Sequence, residues 1–236
     1  MIYEHHSIKG TVDGNSVVVP IEVIRERRKT FAIYVQRECA KLYIPFRHEN
    51  KTYSLFLNQK AKWILKRSYL LRKAFQEMEL KEDEIWILGQ KHRLVDDSHH
   101  YIDFSEKNTS LPQKNRAKFL CSQATAFLHT RAKELAVPYD ISFDVSVVRP
   151  YRSKWGSCSR TNTLKLNTLL FHTPIHIVDS VIFHEFAHIT SMKHDKKFYD
   201  ALFRYYPDYN AADQWFKQYG SALIEILGDR FYCRDI

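Results

Sequence analysis

Residues 184–188 read His-Glu-Phe-Ala-His, and a third histidine, His194, follows six positions later. On a helix, residues i and i+4 share a face, so His184 and His188 can hold one metal ion between them. Glu185 follows the first of them and can reach a water on such an ion without ligating it. His194 carries a geometric condition. Six residues is roughly 600° of helix, or about 240° around its axis, so an unbroken helix would point it away. As a ligand it requires the helix to stop near Thr190-Ser191 and the chain to turn back through 189–193, a segment without glycine. If it does not return, Asp195 or a carboxylate of the last two helices is the next candidate. Three imidazoles would hold one zinc per chain and leave a fourth position for water.

The elements that must position these groups are readable from periodicity. Ile177, Val178, Val181, Ile182, Phe183 and Ala187 give the 184–188 segment an apolar helical face, with Thr173 as N-cap and Pro174 at the first helical position. Asp195 reads as the N-cap of a further helix over about 195–205. Another helix runs over 210–226, the two joined at Pro207-Asp208-Tyr209. Upstream, Phe143, Val145 and Val147 alternate as a strand, and Leu164 and Leu166 mark a second. Between those strands lies Arg149-Pro-Tyr-Arg-Ser-Lys-Trp-Gly-Ser-Cys-Ser159. Trp155 can anchor this loop and Gly156 permits a tight turn. Arg149, Arg152 and Lys154 are placed to hold an anionic substrate group, or to remain solvated charges. Cys158 reads as a small buried residue rather than a nucleophile, because no base can be assigned to it. His172 and His176 read as helix-end or surface residues. Tyr205, Tyr206 and Tyr209 have the chemistry of oxyanion donors, but packing is the simpler role.

The first half reads as an antiparallel meander over 15–57, from the runs 17–23, 31–35 and 42–46, followed by a long helix from an Asn58 cap to about Glu79. Residues 85–104 read as a hairpin turning at Gly89, and 105–112 as a linker. A helix follows over about 113–135, its Ala117, Leu120, Cys121, Ala124 and Leu128 stripe reading as core. No sequence repeat is visible. Hydrophobic residues make up 44% of the 236, enough for a real core. No apolar run reaches transmembrane length, and the first residues lack the plan of a secretory signal, so a cytoplasmic protein without membrane contact is expected. Cys39, Cys121, Cys158 and Cys233 are scattered and read as free thiols. The net charge of +9 raises the question of a polyanionic partner, although acidic residues interrupt several basic runs and solvated faces are the simpler reading.

Together these segments resemble the YgjP-like metallopeptidase family, relatives of the SprT and WLM zinc peptidases. The likeness rests on Arg152-Ser-Lys-Trp-Gly-Ser-Cys-Ser159, on Leu164-Lys-Leu-Asn167 after it, and on His184-Glu-Phe-Ala-His188 with His194 and Phe198. The early strands and the helix with Trp63-Ile64 extend it over nearly the whole chain. The resemblance implies one zinc held by His184, His188 and His194, with Glu185 as acid/base. Phe186 departs from the Leu common after the glutamate, and Asp195 from the Ser common after the third histidine.

The expectation is therefore an α+β protein. An amino-terminal half over 1–110, with an antiparallel meander and a long helix, would precede a minimal zincin core over 111–236, unless the whole is one continuous YgjP-like domain. The function expected is a zinc-dependent hydrolase of peptide or protein substrates, with Glu185 as general base. An extended peptide would pair with strand 164–168 if that strand is an edge. Two other classes stay open. One is a nucleotide phosphohydrolase using Arg149, Arg152 and Lys154 on phosphates, although such sites favour oxygen ligands and often two metals. The other is a nucleic-acid-associated zinc protein, although structural zinc is usually closed by four protein ligands.

Overall fold

The computed structural model describes residues 3–46, 50–148, 154–228 and 232. The chain divides into two compact units, Met1–Met78 and Glu79–Ile236. The first holds strands β1 (Tyr3–Val12), β2 (Asn15–Glu26), β3 (Ala32–Val35) and β4 (Ala40–Pro45) and helix α1 (Asn50–Glu77). β1 and β2 form a hairpin through Asp13-Gly14, both in the left-handed region with φ 50° and 80°. That turn needs two such residues, and Asp-Gly supplies them. Strand β1 was not expected, although this dipeptide marks it. The sheet order is β1-β2-β4-β3, so the strands do not form a simple antiparallel meander. β4 lies parallel to β2 and antiparallel to β3. The cause is burial. β4 brings Ala40, Leu42 and Ile44 fully into the core and takes the inner place, while four-residue β3, with Tyr34 59% exposed, stays at the edge. Tyr53, Leu57, Ile64 and Leu65 of α1 cover the face made by Val17, Val19, Ile21 and Val23. Tyr53 and Leu57 already belong to that helical row, so α1 starts at Asn50 and Asn58 is interior, not a cap.

The second unit opens on the same plan. β5 (Glu84–Ile87), β6 (Gln90–Val95), β7 (Tyr101–Asp103) and β8 (Asn108–Ser110) pair in the order β5-β6-β8-β7, and helix α2 (Arg116–Ala136) follows. β6 and β8 are parallel, and the outer pairs are antiparallel. The segment 105–112 is therefore not a linker: β8 fills it, with Thr109 and Ser110 buried and the Thr109 hydroxyl 3.2 Å from His92 Nδ1. Its polar composition hid a strand whose hydroxyls are satisfied inside. The two-unit division also falls at 78/79 rather than near 110.

A three-stranded sheet comes next: β9 (Asp144–Val148), β10 (Gly156–Cys158) and β11 (Thr163–Asn167), ordered β10-β11-β9. β11 is thus central, parallel to β9 and antiparallel to β10, and not the edge that pairing with a peptide would need. Leu164 and Leu166, fully buried on one face, explain the place it takes, while Lys165 between them is exposed on the other. A 3₁₀ turn over Thr168–His172 leads into α3 (Ile175–Thr190), followed by α4 (Lys196–Tyr205), α5 (Tyr209–Trp215), a π turn over Phe216–Gly220 and α6 (Ser221–Leu227). Thr173 does not cap α3; its hydroxyl donates to the Leu170 carbonyl at 2.8 Å. The core of this unit joins Val178, Ile182 and Phe186 of α3 to Leu164 and Leu166, and to Leu128 and Ala132 of α2. Burying each large side chain stabilises the packing by roughly 1.5–3 kcal/mol. Among the described residues, no helix is long and apolar enough to cross a membrane.

Candidate metal centre

Helix α3 sets His184 and His188 one turn apart, their rings 5.0 Å between centres. The helix stops at Thr190, and Ser191 is extended at φ −150°. The glycine-free return is built from side-chain hydrogen bonds instead. The Ser191 hydroxyl accepts from the Lys193 N–H at 3.3 Å and donates to Asp195 Oδ2 at 3.0 Å. Asp195 Oδ1 caps α4 by accepting from the Phe198 N–H at 3.1 Å. Both oxygens of Asp195 are thus engaged in the turn and not in the histidine cluster.

The turn brings His194 back. Its ring lies 5.2 Å from that of His184 and 4.8 Å from that of His188. Each of the three offers a nitrogen, and these nitrogens all lie within 4.8 Å of one another. The Nε2 atoms of His184 and His194 are 3.3 Å apart. Two ligands on a tetrahedral zinc at ~2.05 Å sit about 3.3 Å from each other, so the donor set fits such an ion. Phe198, fully buried, floors the cluster, with its ring 4.5–4.9 Å from all three imidazoles. That contact gives a physical reason for a Phe four residues after His194.

The outer nitrogens are held as well. His188 Nδ1 is 3.2 Å from the Ser191 carbonyl, which can only accept, so this Nδ1 carries the proton and Nε2 is free. His184 Nδ1 is 2.9 Å from the Tyr209 hydroxyl. Burial, then His188 and His194, push His184 down to about 4, partly opposed by Asp213, which leaves the imidazole neutral.

Glu185 lines a cleft of about 580 Å³ together with His184, Trp155, Gly156, Tyr209 and Phe216. It is only 4% exposed, and among the described residues its Oε2 has no hydrogen-bond partner. Burial pushes the carboxyl up to about 8, with Lys154 pulling it back. A Cβ on Gly156 would stand 2.5 Å from Glu185 Oε1, so any larger residue where β10 crosses the carboxyl group would push it aside. Asn167 holds this crossing in place. Its side chain donates to the Lys154 carbonyl at 2.9 Å and its N–H to the Trp155 carbonyl at 2.9 Å. Trp155 packs on Phe216 with ring centres 4.9 Å apart. Phe216 opens the π turn, a local widening of the helix often found at functional sites.

The remaining candidates separate. Lys154 is exposed and donates to the Ser157 hydroxyl at 3.3 Å; Arg149 and Arg152 lie outside the described residues. Burial and Glu185 push the Cys158 thiol up to about 11, so it is no nucleophile. Tyr205 stacks in the core beside Phe183, and the Tyr206 hydroxyl donates to the His176 carbonyl. Tyr209 reaches His184. Sequence reasoning gave Tyr209 only the chemistry of an oxyanion donor, with packing as the simpler role, and gave Asn167 no role beyond its motif. No local signal picks out either, because their partners lie 25 and 13 residues away. His172 is not at the surface. It is 1% exposed and bound between the Trp86 carbonyl and the Tyr232 hydroxyl.

A family model described as YgjP-like, metallopeptidase domain matches residues 29–219. The chain belongs to the YgjP-like metallopeptidase family. It is accordingly a metal-dependent hydrolase of the metallopeptidase class, with an α+β fold consistent with a minimal zincin core. Among solved structures it is similar to the metallopeptidase zymogen jannalysin of Methanocaldococcus jannaschii, at 24% identity over 39% of this chain and 94% of that one, with a TM-score of 0.34. A likeness that slight carries no mechanistic weight. Comparison with curated proteins gives no match.

Proposed function

We propose that this YgjP-like protein is a zinc peptidase, with one zinc held by His184, His188 and His194 and with Glu185 as general base. The observation that carries this reading is the pairing of two features in one wall of the protein. Three imidazoles converge, and the side chain after the first of them along the helix is a buried carboxyl group with an oxygen left unpaired among the described residues. When bound, zinc would supply Lewis acidity to a carbonyl and acidity to a water. Glu185 then takes the proton of the attacking water and returns it to the departing amine, which a carboxyl pushed up toward neutral pH does well. Tyr209 and Ser191 hold His184 and His188 in the rotation that aims Nε2 inward. An extended peptide would pair along β10, the outer strand beside Glu185. Lys154, together with Arg149 and Arg152, would hold an anionic group of the substrate.

The test joins metal analysis to assays on an unfolded protein and on nucleoside triphosphates. About one zinc per chain is expected, lost in His184→Ala and in His194→Ala. Glu185→Gln should keep the zinc and lose about 10²-fold or more in peptide cleavage. Unchanged cleavage in Glu185→Gln would remove it as the base. Turnover of triphosphates without protein cleavage would replace the peptidase reading and turn Arg149, Arg152 and Lys154 into phosphate ligands.

A further inference from the structure

The positive charge of this protein is concentrated in one unit. Residues 1–78 hold 15 Lys and Arg against 7 Asp and Glu, a balance of +8. Residues 79–236 hold 21 against 20, a balance of +1. The fold does not demand this. Residues 79–136, which contain the second sheet of the same strand order and the helix after it, hold 9 of each sign and are neutral. The contrast extends to exposed rings. Tyr34, Phe46 and Trp63 of the first unit are 59%, 61% and 49% exposed, against Phe104 alone between residues 79 and 136.

On α1, Lys62, Trp63 and Lys66 share the face opposite the buried Tyr53, Leu57 and Ile64. Among the described residues, neither lysine has an acidic partner. Arg27 and Lys29 are likewise exposed in the link between β2 and β3. Beside α1, a cleft of about 770 Å³ is lined by donors that include Asn15, Ser16, Arg72 and Lys73.

From this we infer that the first unit is a binding surface for single-stranded nucleic acid. Unpaired cations meet phosphates, and Trp63, exposed between Lys62 and Lys66 on one face of α1, gives bases a platform to stack on. An anionic bilayer would instead call for a continuous apolar face beside the cations, and α1 sets one ring between lysines. Binding of this kind needs neither the metal nor Glu185.

Anisotropy of a fluorescent 30-nucleotide oligothymidylate tests the inference on the full chain. Wild type should bind at 50 mM salt and weaken at least about tenfold at 200 mM. Lys62→Glu/Lys66→Glu should weaken binding at least about tenfold, and Arg27→Glu/Lys29→Glu should act in the same direction. Trp63→Ala should weaken it about fivefold or more with the salt slope kept. Lys114→Glu/Lys118→Glu, on exposed positions of the neutral second plan, should stay within about twofold of wild type. Circular dichroism confirms folding of each variant. No binding by wild type overturns the inference. Equal losses in the α1 and control pairs overturn it as well, since net charge alone would then suffice. Capture on phosphatidylserine vesicles without oligonucleotide binding would assign the surface to membranes instead.

Discussion

The sheet of residues 3–45 and the sheet of residues 84–110 open alike and end differently. Each begins with a two-residue hairpin whose second residue is a left-handed glycine, Gly14 at φ 80° and Gly89 at φ 75°. Each then places its fourth strand between the second and third, and each is followed by a long helix. Around Gly14 there is open space, whereas a Cβ on Gly89 would meet Pro174 at 2.7 Å. Leu88, next to it, adopts φ 47°, which a branched side chain rarely does, and packs into the core of the second unit. Its N–H donates to the Phe171 carbonyl at 2.8 Å. His172 reaches the Trp86 carbonyl, and Arg131 of α2 grips Asp179 of α3 through two bonds of 2.7 Å. One plan thus carries surface charge, while the other is hydrogen-bonded to the turn and helix that bear the histidines. What a supersecondary plan does depends on the partners its turns and helix faces meet.

The turns give the sharpest way to break this comparison. Gly89→Ala should lose about 3 kcal/mol of stability or more, because both the backbone conformation and the contact with Pro174 are violated. Gly14→Ala should lose only about 1–2 kcal/mol, from conformation alone. Denaturant titration with segment-resolved hydrogen exchange reads both. Equal losses would mean that the second turn is no more constrained than the first.

The helices come next in size. Arg131→Met removes charge-assisted bonds that join α2 to α3 and should cost about 2–3 kcal/mol. Lys73→Met on α1 removes only an exposed i,i+4 pair with Glu77, worth about 0.3–0.5 kcal/mol. A loss under 1 kcal/mol for Arg131→Met would show that α3 is held by apolar packing alone.

A further effect depends on pH. Burial pushes His172 down to about 4 in the folded chain, from an ordinary 6.5. Between these values the unfolded chain binds a proton that the folded chain refuses. The contribution is therefore complete above pH 6.5 and is lost as pH falls toward 4. By pH 5 the loss amounts to about 2 kcal/mol. Stability curves of wild type and His172→Gln should converge by that amount between pH 7.5 and 5, and parallel curves would exclude His172 as the cause.

Some of this was decided within the chain itself. The i, i+4 spacing of His184 and His188, the apolar face behind them and the Asp195 cap are local, so the sequence alone sufficed for α3, its end near Thr190 and the start of α4. The charge split was equally present in the residues, but it acquires meaning only once the boundary at 78/79 is known. Non-local matters were decided by tertiary structure. Strand order in both four-stranded sheets was settled by which strand buries more, a competition that no short window contains. Polar β8 looked like a linker because its buried hydroxyls find partners far away in the chain, on β6 and just beyond it. The same holds for β11 as the inner strand, for Tyr209 behind His184, for Asn167 fastening the loop at Lys154, and for buried His172. Each depends on a hydrogen bond or contact between residues far apart in the chain, and side-chain identity by itself does not say which distant partner a group will meet.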